Sequence, residues 1–236
     1  MGFWRNFWNP KKPEQPDDRF EPLAVYSDVE RELTERYITD AFGPIACTFY
    51  DAYREELRID IAVTEPDRER RFYTLTTVGM GAHRMNIPRE SEERNLAFAE
   101  LCVCLPPDWD IMRDTWPFHM LQETARHPFV SRDHLISGNA YHGPMMNGSG
   151  FAAAFVIPAP TRGRTSSRVM LPGGKIVNYY LALPIYQEEW EFILSHKSSH
   201  LFWERYSERV GSVVVDVNRE SCVGAEEPEE EETWNI

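Results

Sequence analysis

The chain has 236 residues, 42% hydrophobic and 13% aromatic, which is enough apolar matter for one large domain or two small ones. Its formal net charge is −13. That excess argues against nucleic acid, which needs clustered Lys and Arg, and suits a basic protein partner.

Residues 1–22 hold four prolines without periodicity and read as a flexible N-terminal arm. Phe3, Trp4, Phe7 and Trp8 give that arm an aromatic cluster, to dock on the parent domain or to meet a partner or membrane. The start lacks the apolar core and cleavage site of a signal peptide, and Asn6 stands where myristoylation needs Ser or Thr. No apolar run approaches the ~18 residues that cross a bilayer, so no membrane partner is expected.

A helix is predicted over 28–42, opened by a capping box of Ser27 and Glu30 and closed by Gly43-Pro44. Val29, Leu33, Tyr37 and Phe42 would form its apolar stripe. Residues 57–64 alternate, with Leu57, Ile59, Ile61 and Val63 on one side, as in a half-buried strand. A second strand follows over 72–78 and is broken at Gly79-Met80-Gly81. A third runs over 98–105 and stops at Pro106-Pro107, because proline cannot donate to a ladder.

The spacing then predicts a helix over 116–127, with Thr115 as N-cap and Pro128 as its end. Its Trp116, Leu121 and Ala125 should face inward. Strands over 151–157 and 176–183 bracket a loop at 161–168; helices at 187–194 and 200–209 and a last strand at 213–217 follow. The end carries six glutamates between 226 and 232, so 221–236 read as a disordered acidic tail beside a single domain at 23–220. Without regular βαβ alternation, the fold class is α+β, a mixed, largely antiparallel sheet packed against flanking helices.

The cysteines Cys47, Cys102, Cys104 and Cys222 read as buried free thiols, with the cytoplasm as the default compartment. No cofactor or metal is expected. His196 and His200 share helical spacing but lack a third ligand, and Cys102-Val103-Cys104 has no zinc spacing. Gly148-Ser149-Gly150 is no nucleophile elbow, and Gly173-Gly174-Lys175 reads as a hairpin turn. Asp108, Asp110 and Asp114 crowd Trp109, and His134, Tyr141 and His142 share one region. An enzyme with a site around Asp108–Asp114 and His134–His142 is therefore one reading; loop caps and groove contacts are the other.

Several blocks in order resemble the suppressor-of-fused family. They are Thr77-Val78-Gly79-Met80, Glu100-Leu101 with Leu105-Pro106-Pro107-Asp108-Trp109, Thr115-Trp116-Pro117 with Ala125-Arg126, Ser137-Gly138, and Pro184-Ile185-Tyr186-Gln187-Glu188-Glu189-Trp190. The resemblance spans about 45–220. It implies a mixed sheet with helices, no known catalysis, and a groove for an extended client segment near the end of the Trp-Pro helix and the Ser-Gly loop. There the eukaryotic pattern has an aromatic after Ala-Arg and an acid after Ser-Gly; this chain has His127 and Asn139.

The short form resembles the bacterial branch, whose members are regarded as immunity proteins of polymorphic toxin systems. The expected function is thus a non-catalytic, cytoplasmic protein-binding module that neutralises a basic toxin domain. A general client-binding protein is the alternative. The expected partner contacts are His127, Asn139, Tyr141, His142, Trp109 and Asp110.

Overall fold

A computed structural model describes residues 25–51, 57–89, 94–142, 148–163 and 165–224. The aromatic cluster of the arm and the glutamate run of the tail lie outside these residues.

Helix α1 (Asp28–Phe42) opens with the expected box: Glu30 N–H donates to Ser27 Oγ, and Ser27 N–H donates to the Glu30 carboxylate. Eight strands follow among the described residues: β1 (Ile45–Phe49), β2 (Asp60–Thr64), β3 (Tyr73–Val78), β4 (Phe98–Leu105), β5 (Ala140–His142), β6 (Phe151–Pro158), β7 (Arg168–Met170) and β8 (Ile176–Tyr186). Helix α2 (Trp116–Val130) lies between β4 and β5; α3 (Gln187–His196) and α4 (Ser199–Arg209) follow β8.

The strands make one sheet in the order β1-β2-β3-β4-β8-β6-β5, with β7 paired to β8. Every pairing is antiparallel except β4 with β8. The α+β expectation holds in that form. Strand side chains alternate between faces, and here both faces are covered. Leu101, Val103 and Leu105 of β4 pack with Trp116, Leu121 and Ala125 of α2 on one face. Cys102 and Cys104 pack on the other, with Tyr37 and Phe42 of α1, Phe192 of α3 and Phe202 of α4.

Three buried polar knots tie distant segments together. Glu100 on β4 is fully buried and accepts from Tyr26 hydroxyl (2.8 Å), Thr77 hydroxyl (2.6 Å), Gly79 N–H (2.9 Å) and Gly81 N–H (3.0 Å). Gly79 has φ +131°, and a Cβ there would stand 2.4 Å from the Arg58 carbonyl, so the turn requires glycine. Arg126 on α2 forms a buried pair with Asp51 and also meets the half-buried Glu123. Glu189 on α3 pairs with Arg219 at 2.6 Å.

Several expectations need correction. Strand β2 is shorter than 57–64 and buried on both faces, because α1 and α2 sandwich the sheet. Even Asp60 is 1% exposed, compensated by Arg31 at 3.1 Å and Arg58 at 2.8 Å. The stripe of α1 runs through Thr34, Tyr37, Ile38, Ala41 and Phe42, while Val29 is 57% exposed.

Helix α2 does not stop at Pro128 but continues to Val130. Pro128 is buried and Phe129 packs on the core, so apolar burial carries the last turn past the missing N–H. Thr115 starts that helix without a side-chain cap bond.

Residues 213–217 make only a bridge from Val214 to Cys104, not a strand. His196 and His200 do not share a helix, because Lys197 takes a left-handed conformation between α3 and α4. Cys47 is exposed on β1, whereas the other three cysteines are buried. The expected tail boundary at 221 also shifts: Cys222 and Val223 are buried, and Cys222 N–H donates to Glu189 at 2.9 Å. Gly173-Gly174-Lys175 does lie at the turn between β7 and β8.

Candidate binding groove at the β5 edge

Strand β5 ends the sheet. It pairs with β6 through Ala140–Phe155, Tyr141–Ala154 and His142–Ala153, and no described strand pairs with its other edge. An open edge is a template for an added strand. Beside it, the last turns of α2 and β5 enclose a pocket of about 120 Å³. Its walls are Glu123, Thr124, Arg126, His127, Val130, Tyr141 and His142. Metabolite pockets run to about 300–1,000 Å³. This one has room for a single side chain.

The chemistry of the walls follows from the helix. Pro128 lacks an N–H, so the Thr124 carbonyl has no helical donor four residues on. The Thr124 hydroxyl and Arg126 Nε are buried and make no hydrogen bond among the described residues. Unmade bonds at buried polar atoms cost about 1–3 kcal/mol each. A ligand that satisfied them would recover part of that cost. Arg126 itself is held by Asp51 and by Glu123 at 3.1 Å, which fixes its plane beneath the groove.

Three expected contacts therefore meet here: His127, Tyr141 and His142. Their roles differ. Tyr141 is 7% exposed, and its hydroxyl donates to His134 carbonyl and accepts from Ile136 N–H, both at 3.0 Å. Burial pushes its phenol up, offset in part by bonds from Ile136 and Asn139. Tyr141 is thus a structural wall, with the His127 ring 5.6 Å away in edge contact. His142 is exposed and packs on Trp190 at 4.8 Å. Asn139 is exposed just before β5, and its carbonyl accepts from Val156 N–H at 2.9 Å.

Trp109 and Asp110 lie elsewhere. They line a groove of about 440 Å³ with Asp108, Arg113, Asp114 and the segment 215–218. Trp109 Nε1 donates to Asp114 carbonyl at 3.1 Å, and Asp110 accepts from Met112 and Arg113 N–H at 3.2 Å. These are loop-forming bonds. The two halves of the enzyme reading, Asp108–Asp114 and His134–His142, do not share a pocket. Among the described residues, no group of three or more His, Cys, Asp or Glu could hold a metal.

The sequence did not point to Thr124 or Val130. Thr124 reads as one more inward helical position, and its carbonyl is seen to lack a helical donor only once Pro128 is known to sit inside the helix.

The family model described as suppressor of fused protein (SUFU) matches residues 55–220. The chain belongs to the suppressor-of-fused family. No curated protein matches the sequence. Among solved structures, a suppressor-of-fused homologue from Neisseria gonorrhoeae FA 1090 is similar at 17% identity and TM-score 0.57, covering 82% of this chain and 94% of that one. A structure of the Sufu–Fu complex is similar at 13% identity and TM-score 0.57, covering 81% and 90%. At these identities the likeness is one of suppressor-of-fused fold. The matched span contains Glu100, the Trp116 helix and the Glu189–Arg219 pair.

Proposed function

We propose that this suppressor-of-fused domain is a non-catalytic binding module that takes an extended segment of a basic protein partner along the β5 edge, and that the partner is a cognate toxin neutralised by occlusion. The observation that carries the reading is a β5 edge with no partner strand among the described residues, beside a pocket of about 120 Å³ whose Thr124 hydroxyl has no hydrogen bond among those residues. Main-chain bonds along such an edge supply affinity, and a side-chain pocket supplies selectivity. The similar Sufu–Fu structure is that of a complex between proteins, which supports a protein occupant here.

The net charge of −13 favours a basic partner and fast encounter. The exposed acids Asp108, Asp110 and Asp114 around Trp109 would steer such a partner without forming its anchor. Occlusion also needs no reacting group in the groove: a bound strand blocks by filling space.

The decisive experiment is a titration of partner activity, using the protein that co-purifies with this chain from its native host. Full inhibition at one chain per partner molecule supports the reading. Inhibition by a small fraction of an equivalent means turnover and sinks it. A co-purified partner without toxicity would leave the binding module standing and remove the toxin.

A further inference from the structure

The loop after β4 and the segment after α4 enclose the groove of about 440 Å³ that holds Trp109. Strand β8 pairs with β4 only as far as Cys102. Beyond that point the later segment takes its place: Val214 bridges Cys104, and Val215 N–H donates to Cys104 carbonyl at 2.9 Å. The facing wall is fixed by its own turns. Trp109 N–H donates to Pro106 carbonyl at 3.1 Å, and Asp114 N–H to Asp110 carbonyl at 2.9 Å. The Trp109 indole N–H then closes the loop on Asp114 carbonyl. Both walls are therefore in place before a ligand arrives, which lowers the cost of binding.

The floor is apolar and partly open to water. Trp109 is half-buried against Trp116, Val215 is buried, and Val217 is 37% exposed. Met112, in the same loop as Trp109, is 77% exposed. Apolar side chains grouped in an exposed concavity mark a surface for a partner, whereas scattered ones do not. The rim decides which partner. Asp108, Asp110, Asp114 and Asp216 line the groove against one cation, Arg113. All four aspartates are exposed, and among the described residues none of them is in an ion pair.

We propose that this groove docks a protein segment in which basic residues flank a large aliphatic one, with the aliphatic side chain on Trp109 and Val217 and the cations toward the aspartates. Exposed ion pairs contribute little each, so the acids attract and orient the segment while the covered apolar surface holds it. That division favours a peptide over a small polyamine, which brings charge but no branched aliphatic side chain. The groove shares no lining residue with the pocket beside β5, and the proposal does not depend on the β5 reading.

The test titrates the full, isotope-labelled chain with acetyl-Gly-Lys-Leu-Lys-Gly-amide, with its Lys-Ser-Lys and Glu-Leu-Glu counterparts, and with spermidine. The Trp109 indole N–H is the reporter, assigned by its loss in Trp109→Phe. The Lys-Leu-Lys peptide should shift it, together with the amides of Val217 and Asn218, along a saturating curve. Its affinity should exceed that of the other two peptides and of spermidine at least about tenfold. Val217→Arg should lower that affinity at least about tenfold and leave the melting curve unchanged. No shift, equal affinity for the three peptides, or parental affinity in Val217→Arg overturns the proposal. So does spermidine binding as tightly as the Lys-Leu-Lys peptide. Shifts at His142 in place of Trp109 would put the peptide on the β5 edge, and shifts that follow dilution of the chain alone would put a second copy in the groove; either also overturns it.

Discussion

Arg219 and Glu189 meet as a buried bidentate pair, both bonds 2.6 Å long, across thirty residues of sequence. The guanidinium lies over Tyr186 at 4.5 Å and Phe151 at 5.4 Å, and Glu189 also accepts from Cys222 N–H at 2.9 Å. One carboxylate therefore fastens the start of α3 to the segment after α4. Burial alone would push Glu189 up, but Arg219 and the N–H groups of Cys222 and Tyr186 hold it below the ordinary carboxylate value of 4.5.

Removing one partner of such a pair strands a buried charge, which typically costs about 3–5 kcal/mol. Arg219→Met should lower unfolding free energy by about that amount in urea titrations. Adding Glu189→Leu should recover part of the loss, since the stranded carboxylate is gone. The stability from Glu189 is present above its unfolded value near 4.5 and is lost as pH falls through its lower folded value. A single variant within about 1 kcal/mol of the parent would show the pair to be energetically idle.

Glu100 has the opposite sign. Full burial raises its carboxyl to about 7, although four donors point at it. The folded state then holds the proton more tightly than the unfolded chain, so stability is fully present below about 4.5 and declines as pH rises through about 7. A Gln at 100 could keep the Tyr26, Gly79 and Gly81 bonds to its oxygen and donate to the Thr77 hydroxyl. Glu100→Gln should therefore fold, and its denaturation midpoint relative to the parent should rise between pH 5 and pH 7.5 by the equivalent of about 2 kcal/mol. An unchanged difference across that range would count against this titration.

Trp116 is 9% exposed and packs on Trp109 and Phe151, each at a centroid distance of 5.8 Å. Trp116→Ala should cost about 3–5 kcal/mol, as large core truncations do. Its Tm should fall together with any partner binding. A variant with the parental Tm that loses binding alone would move Trp116 out of the core and into the interface.

Contacts with the partner should separate cleanly by burial. Val130 is 76% exposed at the pocket mouth, so Val130→Asp should leave the melting curve unchanged and raise the dissociation rate at least about tenfold, the scale of one lost anchor contact. Asp110→Asn with Asp114→Asn should instead slow association and flatten its salt dependence. Tyr141→Ala belongs to neither class, because it removes a buried wall and two hydrogen bonds. Surface plasmon resonance with the co-purified partner resolves the three; a Val130→Asp variant with parental kinetics would place the contact elsewhere.

Long periodic segments could be read directly. The Ser27 box, the β4 run ending at Pro106 and the inward face of α2 all appear as the spacing predicts. What escaped was set by neighbours. Strand β2 looks half-buried on its own, yet Arg31 and Arg58 compensate a buried Asp60 and helices cover both its faces. Strands β5 and β7 have three residues each, too few for a period to show. Pro128 reads as a stop because the burial that overrides it comes from the sheet. In the groove, His127, Tyr141 and His142 could be named from sequence, but not that Tyr141 faces inward while His142 faces out.

The parallel β4–β8 pairing has a consequence for how the chain acquires its shape. Strands β1 to β4 form a meander from local neighbours, but β4 receives its second neighbour only when Val177–Leu181 arrives, more than seventy residues later. Until then β4, with Leu101 and Val103 on one side and Cys102 and Cys104 on the other, is an apolar edge open to any strand. Contacts this distant in sequence form slowly. On the ribosome, the interval between translation of β4 and of β8 is therefore the period in which this fold is most exposed to self-association.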